Sequence, residues 1–336
     1  MNISIEIAKA LSIKQRRNNV LGYCPVCNCS DANFFINNKL TWNCWHCSES
    51  GKIINDSGQE VDYVDEISPP SKVFNIIAIR NIYSVLAEEY HKNLSTSIKE
   101  YLKNRGLQDS TIEKFKLGFC SRGQPLKVYD DENAKDAGII RDDHVILSDR
   151  LVIPYLFNNE VTDLRGRIVE TIGIKYKENA PKYISLEGSY SALGANYFFN
   201  HDVISESDTI IITEGEFKAI VAAQYGFPIV ATPGITKWNN EWDKLLENKK
   251  VILAADNEKV MGRRSPCYVQ AKFLKPHIPH LKVARFNRDI KTNKTDIDSL
   301  ILSKGVIHLE WAIKTAQPVE EFLQDERGKR YGTRYH

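Results

Sequence analysis

Four cysteines at fixed separations constrain the N-terminal part of this chain more tightly than any other feature. Cys24-Pro-Val-Cys27 is followed, sixteen residues later, by Cys44-Trp-His-Cys47. Each CxxC pair puts two thiolates on one tight turn, and two pairs complete a tetrahedral zinc site. Four thiolates leave no open position for water, so the metal is expected to be structural. A segment this small lacks a core of its own, and bound metal then supplies much of its folding energy. Five of the seven cysteines fall in residues 24–47. The opening MNISIEIAKALSIKQRR has no long apolar stretch and no small-residue cleavage site, so secretion is disfavoured and metal is favoured over disulfides. Cys29 and His46 are near misses, expected in the surroundings of the metal. Phe34, Phe35, Lys39, Trp42 and Trp45 are types that stack on single-stranded bases. Phe35 and Trp42 read better as the core of the segment.

From residue 208 the chain alternates strand and helix. TIIITEG, PIVATPG, VILAADNE and LKVARF read as strands. EFKAIVAAQYG, EWDKLLENKK, a segment around 266–275 and one from about 296 to 303 read as helices. This order implies a parallel α/β sheet with right-handed crossovers. Before it, residues 73–120 carry apolar positions at helical spacing, with Gly106 as a C-cap and Asp109-Ser110 as a fresh N-cap. VILSDRLVIPYLF, NEVTDLRGRIV and KYISL read as strands separated by turns. Residues 1–20 carry a short helical pattern, Ile3, Ile7 and Leu11, before a basic cluster. Residues 56–70, with five acids and Ser68-Pro69-Pro70, read as a linker.

Composition excludes several classes. No run of about 18 apolar residues occurs, so no membrane-spanning helix is expected. The net charge is +2, so a nucleic-acid surface has to be a local patch. No GxxxxGK[ST] occurs, so a P-loop motor is not expected.

Acids recur at strand ends of the α/β part. Glu214 follows TIIIT, Asp256 and Glu258 follow VILAA, and Asp296 and Asp298 follow LKVARF across a loop. Sites in parallel sheets form beyond the carboxyl ends of strands. Converging carboxylates repel and are held together by a hard cation such as Mg²⁺, which also takes substrate phosphates. Metal-assisted phosphoryl transfer is the chemistry this suits.

Ile212-Thr213-Glu214-Gly215 with Ala255-Asp256-Asn257-Glu258 resembles a Toprim domain, whose pattern is a strand-end Glu-Gly and a later Asp-x-Asp. Upstream, Tyr101-Leu102-Lys103-Asn104-Arg105-Gly106-Leu107 and Thr111-Ile112-Glu113-Lys114-Phe115-Lys116-Leu117-Gly118-Phe119 resemble the opening of the RNA polymerase domain of DnaG-type bacterial primases. Arg150-Leu-Val-Ile-Pro154, Gly166-Arg167 and Pro181-Lys182-Tyr183-Ile184 continue the resemblance in the same order, over roughly residues 20–305. The Asp-Asn-Glu triplet and the short length look most like stand-alone phage primases. The resemblance implies a multidomain α+β and α/β architecture. A zinc ribbon would span 1–56, a linker 57–72, and the N-terminal part of the RNA polymerase domain 73–205. A Toprim catalytic domain would span 206–302, and a C-terminal helix and basic tail 303–336.

The same resemblance implies that Glu214 is a metal ligand and general base, and that Asp256 and Glu258 hold Mg²⁺ or Mn²⁺. Asp296 or Asp298 would fill the last acidic position, and Cys24, Cys27, Cys44 and Cys47 would hold one structural Zn²⁺. Arg105, Arg165, Arg167, Lys182 and Tyr183 would line a groove for template or nucleotide phosphates. Two positions depart from the family pattern. Glu258 stands where many relatives have Asp. Lys218 stands where bacterial primases usually have Asp and carries no expected metal role: a phosphate contact or a solvated helix residue.

The implied function is a DNA primase, a DNA-dependent RNA polymerase making short RNA primers on single-stranded DNA from ribonucleoside triphosphates. Its setting would be the bacterial cytoplasm, with a phage or mobile-element origin possible, no membrane partner, and a replicative hexameric helicase. Alternatives are a Toprim nuclease, a strand-passage enzyme, and a non-catalytic single-stranded-DNA-binding replication factor. Arg327, Lys329, Arg330 and Arg334 read as a solvated tail.

Overall fold

The computed structural model describes residues 3–4, 12–16, 19–22, 24, 34–36, 41–44, 50–54, 76–123, 132–141, 144–169, 174, 176, 178–186, 198–234, 238–258, 264–287 and 294–326. They belong to two units, Met1–Ile76 with Glu187–Leu193, and Ile77–Leu186 with Gly194–His336. The linker expected at 57–72 and the basic tail lie outside the described residues.

In the first unit, β1 (Ile3–Ser4), β2 (Ser12–Arg16), β3 (Asn19–Gly22), β4 (Phe34–Ile36), β5 (Thr41–Cys44) and β6 (Ser50–Ile54) form one sheet, ordered β1-β6-β5-β4-β3-β2. Successive strands from β2 to β6 pair antiparallel, while β1 runs parallel to β6 with Ile3 opposite Ile53. The short helical pattern expected over Ile3, Ile7 and Leu11 lies, apart from Ile3 in β1, outside the described residues. Along β5 burial alternates, so Trp42 and Cys44 face inward while Thr41 and Asn43 are half-exposed. Trp42, Cys44, Cys24 and Ile53 are all buried, and Trp42 is a core residue as expected. Cys27, Cys29, Cys47, Lys39, Trp45, His46 and the side chains of Phe34 and Phe35 lie outside the described set.

The second unit begins with α1 (Ile76–Lys92), which buries Ile79, Ile82, Tyr83, Leu86, Ala87 and Tyr90 on one helical stripe. In α2 (Thr96–Asn104) the Ser95 side chain caps the Ile98 N–H, and Gly106 follows at φ 85°. Helix α3 (Asp109–Lys114) starts one residue earlier than expected, with Gln108 at the N-cap and Asp109 in the first turn. There the acid still faces the positive end of the helix dipole. Strand β7 (Gly118–Cys120), helix α4 (Glu132–Asp136) and the short pair β8 (Ile140–Arg141) and β9 (His144–Val145) follow.

Strands β10 (Arg150–Phe157), β11 (Glu160–Arg167) and β12 (Tyr183–Ser185) join β7 in an antiparallel sheet, ordered β12-β11-β10-β7. Asn158 and Asn159, both at positive φ, close the β10–β11 hairpin, where asparagine tolerates that conformation. After α5 (Val203–Glu206) come β13 (Thr209–Glu214), α6 (Glu216–Ala223), β14 (Ile229–Thr232), α7 (Glu241–Leu246), β15 (Lys250–Leu253), β16 (Asn257–Glu258), α8 (Pro266–Leu274), β17 (Lys282–Val283), β18 (Lys294–Thr295), α9 (Ile297–Lys304), α10 (Ile307–Lys314), β19 (Gln317–Pro318) and α11 (Val319–Glu326).

The main sheet runs β14-β13-β15-β17-β19, parallel except for the edge strand β19. Its strands read as near-continuous apolar runs because both faces are covered. Ile211, Ile229 and Ile252 join a core with α6, α9, α10 and the antiparallel sheet. Ile210, Ile212, Val230 and Leu253 join a second core with α7, α8 and α11. Because β19 pairs with β17, the sheet reaches beyond the boundary expected at residue 302. No described helix is long and apolar enough to cross a membrane.

One close approach ties β7 to α1. A Cβ on Gly118 would lie 2.6 Å from the Tyr90 main-chain carbon and 2.8 Å from the His91 nitrogen, both backbone atoms that cannot swing aside. Gly118→Ala is therefore expected to cost about 1–3 kcal/mol, read from the urea midpoint at an unchanged slope.

Candidate active site

The parallel sheet ends in loops that carry the predicted acids. Glu214 is the last residue of β13, and Gly215, at φ 84°, turns the chain straight into α6. A left-handed conformation there is free for glycine and strained for other residues. Asp256 follows β15, and Glu258 lies on β16, which pairs with β18 so that Glu258 faces Lys294 and Asn257 faces Thr295. Asp296 is the N-cap of α9, in a reciprocal capping box with Ser299.

Two lysines lie among these carboxylates. Lys218 Nζ pairs with Asp256 Oδ1 at 2.5 Å and donates to the Glu214 main-chain carbonyl at 3.0 Å. Lys294 Nζ lies 3.2 Å from Asp256 Oδ2, 3.7 Å from Asp296 Oδ2 and 3.9 Å from Glu258 Oε2. Gln270 Nε2, on α8, donates to Glu214 Oε2 at 2.8 Å. Asp256, Glu258 and Asp296 thus share one ammonium, and Lys218 links Asp256 to the Glu214 main chain while the Glu214 carboxylate accepts from Gln270. Among the described residues no three Asp, Glu, His or Cys side chains are grouped as a metal cage, since the lysines stand between the acids.

Burial sets the ionisation here. It raises the Glu214 carboxyl above its ordinary value, and the nearby Lys218 ammonium only partly offsets this. Burial works against the Lys294 charge, but the facing carboxylates, Asp256 foremost, outweigh it and raise its pKa. Asp296 and Asp298 act as a pair. Burial opposes charge on both, yet hydrogen bonds from Asp298 and Ser299 keep Asp296 ionised, and Asp298 is raised. The two acids left open by the sequence therefore part company: Asp296 faces Lys294, and Asp298 pairs with Arg105.

The predicted basic residues form a layered cluster. Arg105 lies 4.6 Å and Arg167 4.4 Å from the centre of the Phe217 ring. Arg165 and Arg167 lie 5.0 Å and 5.5 Å from the Tyr183 ring. Such distances suit cation–π attraction. Arg165 is committed to the protein: Nη1 pairs with Glu216 Oε1 and Nη2 donates to the Pro233 carbonyl at 3.0 Å. Tyr155 OH donates to the same Glu216 oxygen at 2.6 Å. Arg167 is 3 % exposed, and its Nε and Nη1 make no hydrogen bond. Lys182 is exposed, and its main-chain carbonyl accepts from Ile168 N–H at 3.0 Å.

Sequence reasoning missed Gln270, Glu216, Tyr155 and Phe217, and gave Lys294 no part. Lys294 and Asp296 are two residues apart around a short strand, a spacing that puts both on one face. The reading of Lys218 as a solvated residue is corrected, since its side chain is 16 % exposed and ion-paired.

The family described as DNA primase catalytic core, N-terminal domain, matches residues 85–190, which hold α2, α3 and the antiparallel sheet with its arginines. Over that stretch the chain is similar to the catalytic core of DNA primases. A DNA primase of Rickettsia bellii is 25 % identical over 77 % of this chain and 48 % of its own length. The chain spans between about half and three-fifths of the curated primases it matches. In fold it is similar to the Aquifex aeolicus primase zinc-binding and RNA polymerase domains, with a TM-score of 0.59 at 19 % identity, covering 96 % of this chain and 85 % of that one. A DnaG primase catalytic domain bound to ssDNA aligns with a TM-score of 0.59 at 20 % identity, covering 74 % and 82 % of the two chains.

The Glu216 carboxylate is fully buried, and removing it leaves the Arg165 charge uncompensated. Glu216→Ala is expected to cost about 3–5 kcal/mol in urea unfolding. Glu216→Gln, which keeps an acceptor for Tyr155, should cost less.

Proposed function

We propose that this chain is a DNA primase, which joins ribonucleoside triphosphates into short RNA primers on single-stranded DNA. The observation that carries the reading is the convergence of Asp256, Glu258 and Asp296 on Lys294 at the carboxyl ends of a parallel sheet. That sheet shares its core with the strands of the primase match. In this reading residues 206–302 form a Toprim domain, 73–205 the N-terminal part of the polymerase domain, and 1–56 a zinc ribbon. The solved relative bound to ssDNA supports single-stranded DNA as the template. A replicative helicase and a cytoplasmic setting follow from the same reading.

The donor set fits a hard divalent cation. All four acids offer carboxylate oxygen, and with two lysines among them the balance is two negative charges, that of one Mg²⁺ or Mn²⁺. Glu214, Asp256, Glu258 and Asp296 would hold it. Such a cation polarises phosphoryl oxygens and neutralises charge developing on the transferred phosphate.

The protein groups around it do the positioning. Gln270 and Lys218 hold Glu214 and Asp256 in place, so little rearrangement is needed when phosphates arrive. Glu214, whose carboxyl is raised by burial, is suited to take the proton of an attacking 3′-hydroxyl. Arg167 has N–H groups to offer a phosphate, already stacked on Phe217 and Tyr183. Lys182 adds a salt-sensitive backbone contact that carries no sequence information. Arg105 and Arg165 serve the same wall by fixing its shape.

Labelled ribonucleoside triphosphates, single-stranded DNA and Mg²⁺ test this directly. The native chain is expected to yield short RNA, and Glu214→Gln and Asp256→Asn to lose it by at least about a hundredfold, the scale of a lost transition-state contact. DNA cleavage instead would make the chain a nuclease. DNA binding with no product, even with a helicase supplied, would make it a binding factor.

Cys24 and Cys44, one from each pair, are buried in the same unit, which suits a closed thiolate site for zinc. Elemental analysis should find one zinc per chain, and Cys24→Ser with Cys44→Ser should abolish it.

A further inference from the structure

We propose that Arg105 is a positioning residue: through Asp298 it fixes the first turn of α9, and with it the Asp296 carboxylate, in place. The inference rests on the reading of Asp296 as part of the reacting site, and it gives Arg105 a task other than binding phosphate.

Arg105 is the C-cap of α2 and opens the turn that leads to α3. The turn is rigid: the Arg105 N–H donates to the carbonyls of Tyr101 and Leu102, and the Leu107 N–H to that of Leu102, all at 3.1 Å. Contacts from the α/β part close on it. Arg105 Nη2 pairs with Asp298 Oδ2, 193 residues away in sequence. Gln224, the C-cap of α6, donates from Nε2 to the Gly106 carbonyl at 3.0 Å, and its Oε1 accepts from the Gln108 N–H at 2.7 Å. Leu302 of α9 lies so close that a Cβ on Gly106 would stand 2.7 Å from its Cδ2. The turn is thus a fixed point against which α6 and α9 rest.

Asp298 is the second residue of α9, directly after the N-cap Asp296 and Ile297. The first turn of that helix is therefore pinned twice. The capping box of Asp296 with Ser299 sets its shape, and Arg105 sets its place. The Asp298 side chain is 7 % exposed, so loss of the guanidinium leaves a buried carboxylate without its cation. The turn then has to shift until that carboxylate meets water, and Asp296 shifts with it. A displacement of about 1 Å at a reacting group can cost about a hundredfold in rate.

Primer synthesis by the full chain, with KM and kcat measured for the ribonucleoside triphosphate, tests this by rescue. Arg105→Met should lower kcat about tenfold to a hundredfold and leave KM within about twofold, the pattern of a misplaced reacting group. Adding Asp298→Asn to Arg105→Met should recover at least about tenfold of that loss, because a neutral amide is buried without a cation far more readily than a carboxylate. The urea midpoint should fall in the single variant and return in the double. A guanidinium that touched phosphate itself would behave oppositely: KM would rise, and no change at Asp298 would restore it. That outcome, or a double variant no better than the single, would overturn the proposal while synthesis by the native chain kept the reading of the site. If Arg105→Met does not fold by near-ultraviolet circular dichroism, a folded, active double variant supports the proposal and an unfolded one overturns it. A native chain that makes no primers removes the proposal together with the reading beneath it.

Discussion

Strand β13 is covered on both faces, and the placement of the candidate site follows from that constraint. Ile211 packs into one core while Ile210 and Ile212 pack into the other. A one-residue slip would exchange the two sets, so the register with β14 and β15 is strongly specified. The strand therefore ends at a fixed height. Glu214 emerges at its carboxyl end, Gly215 turns the chain, and α6 brings Phe217 beneath the arginine cluster and Lys218 against Asp256. One strand and one turn position an acid, a ring and a cation from five consecutive residues.

Charge is the second constraint. Carboxylates gathered at strand ends repel, and the protein meets that repulsion with groups drawn from separate elements. Lys218 comes from α6, Lys294 from β18 and Gln270 from α8. The Asp296 carboxylate is held by its capping box on α9, so it stays charged beside other acids. Behind this layer, Glu216 binds Arg165 and Tyr155 and so ties the β10–β11 hairpin to the start of α6, while Arg165 also reaches the Pro233 carbonyl after β14. The acidic loops and the basic strand are thereby held in one frame by a buried ion pair. A single flaw in it would be felt at both.

Much of this was legible in the chain. The apolar runs TIIIT and VILAA signalled strands buried on both sides, and the Glu and Asp that follow them marked where charge had to collect. The strands of the β10–β11 hairpin were visible as VILSDRLVIPYLF and NEVTDLRGRIV, two strand segments separated by a turn. What was not legible depended on partners distant in sequence. The parallel pairing of Ile3–Ser4 with Ile53–Ile54 joins residues fifty apart, and local periodicity does not report pairing. The two-residue β19 is too short to show a period, and only its contact with β17 makes it a strand. Lys218 looked like any helix lysine because nothing near it in sequence reveals Asp256, thirty-eight residues on.

The three arginines show how burial divides tasks among residues of one type. By sequence, Arg105, Arg165 and Arg167 are equivalent candidates for phosphate contacts. In the fold, Arg105 answers Asp298 and Arg165 answers Glu216, so both have acidic partners within the protein. Arg167 has two aromatic rings beside it, no salt-bridging acid among the described residues, and two nitrogens with no hydrogen bond. Rings hold a guanidinium in place without satisfying its N–H donors, and an unsatisfied buried donor is costly. An anion that reached Arg167 would recover that cost, and it would find the guanidinium already oriented. The same phosphate at Arg105 or Arg165 would first have to compete with a carboxylate. Arg167 is thus the one arginine of the three that the fold leaves without an acid among the described residues, on the strand next to the one that carries Tyr183.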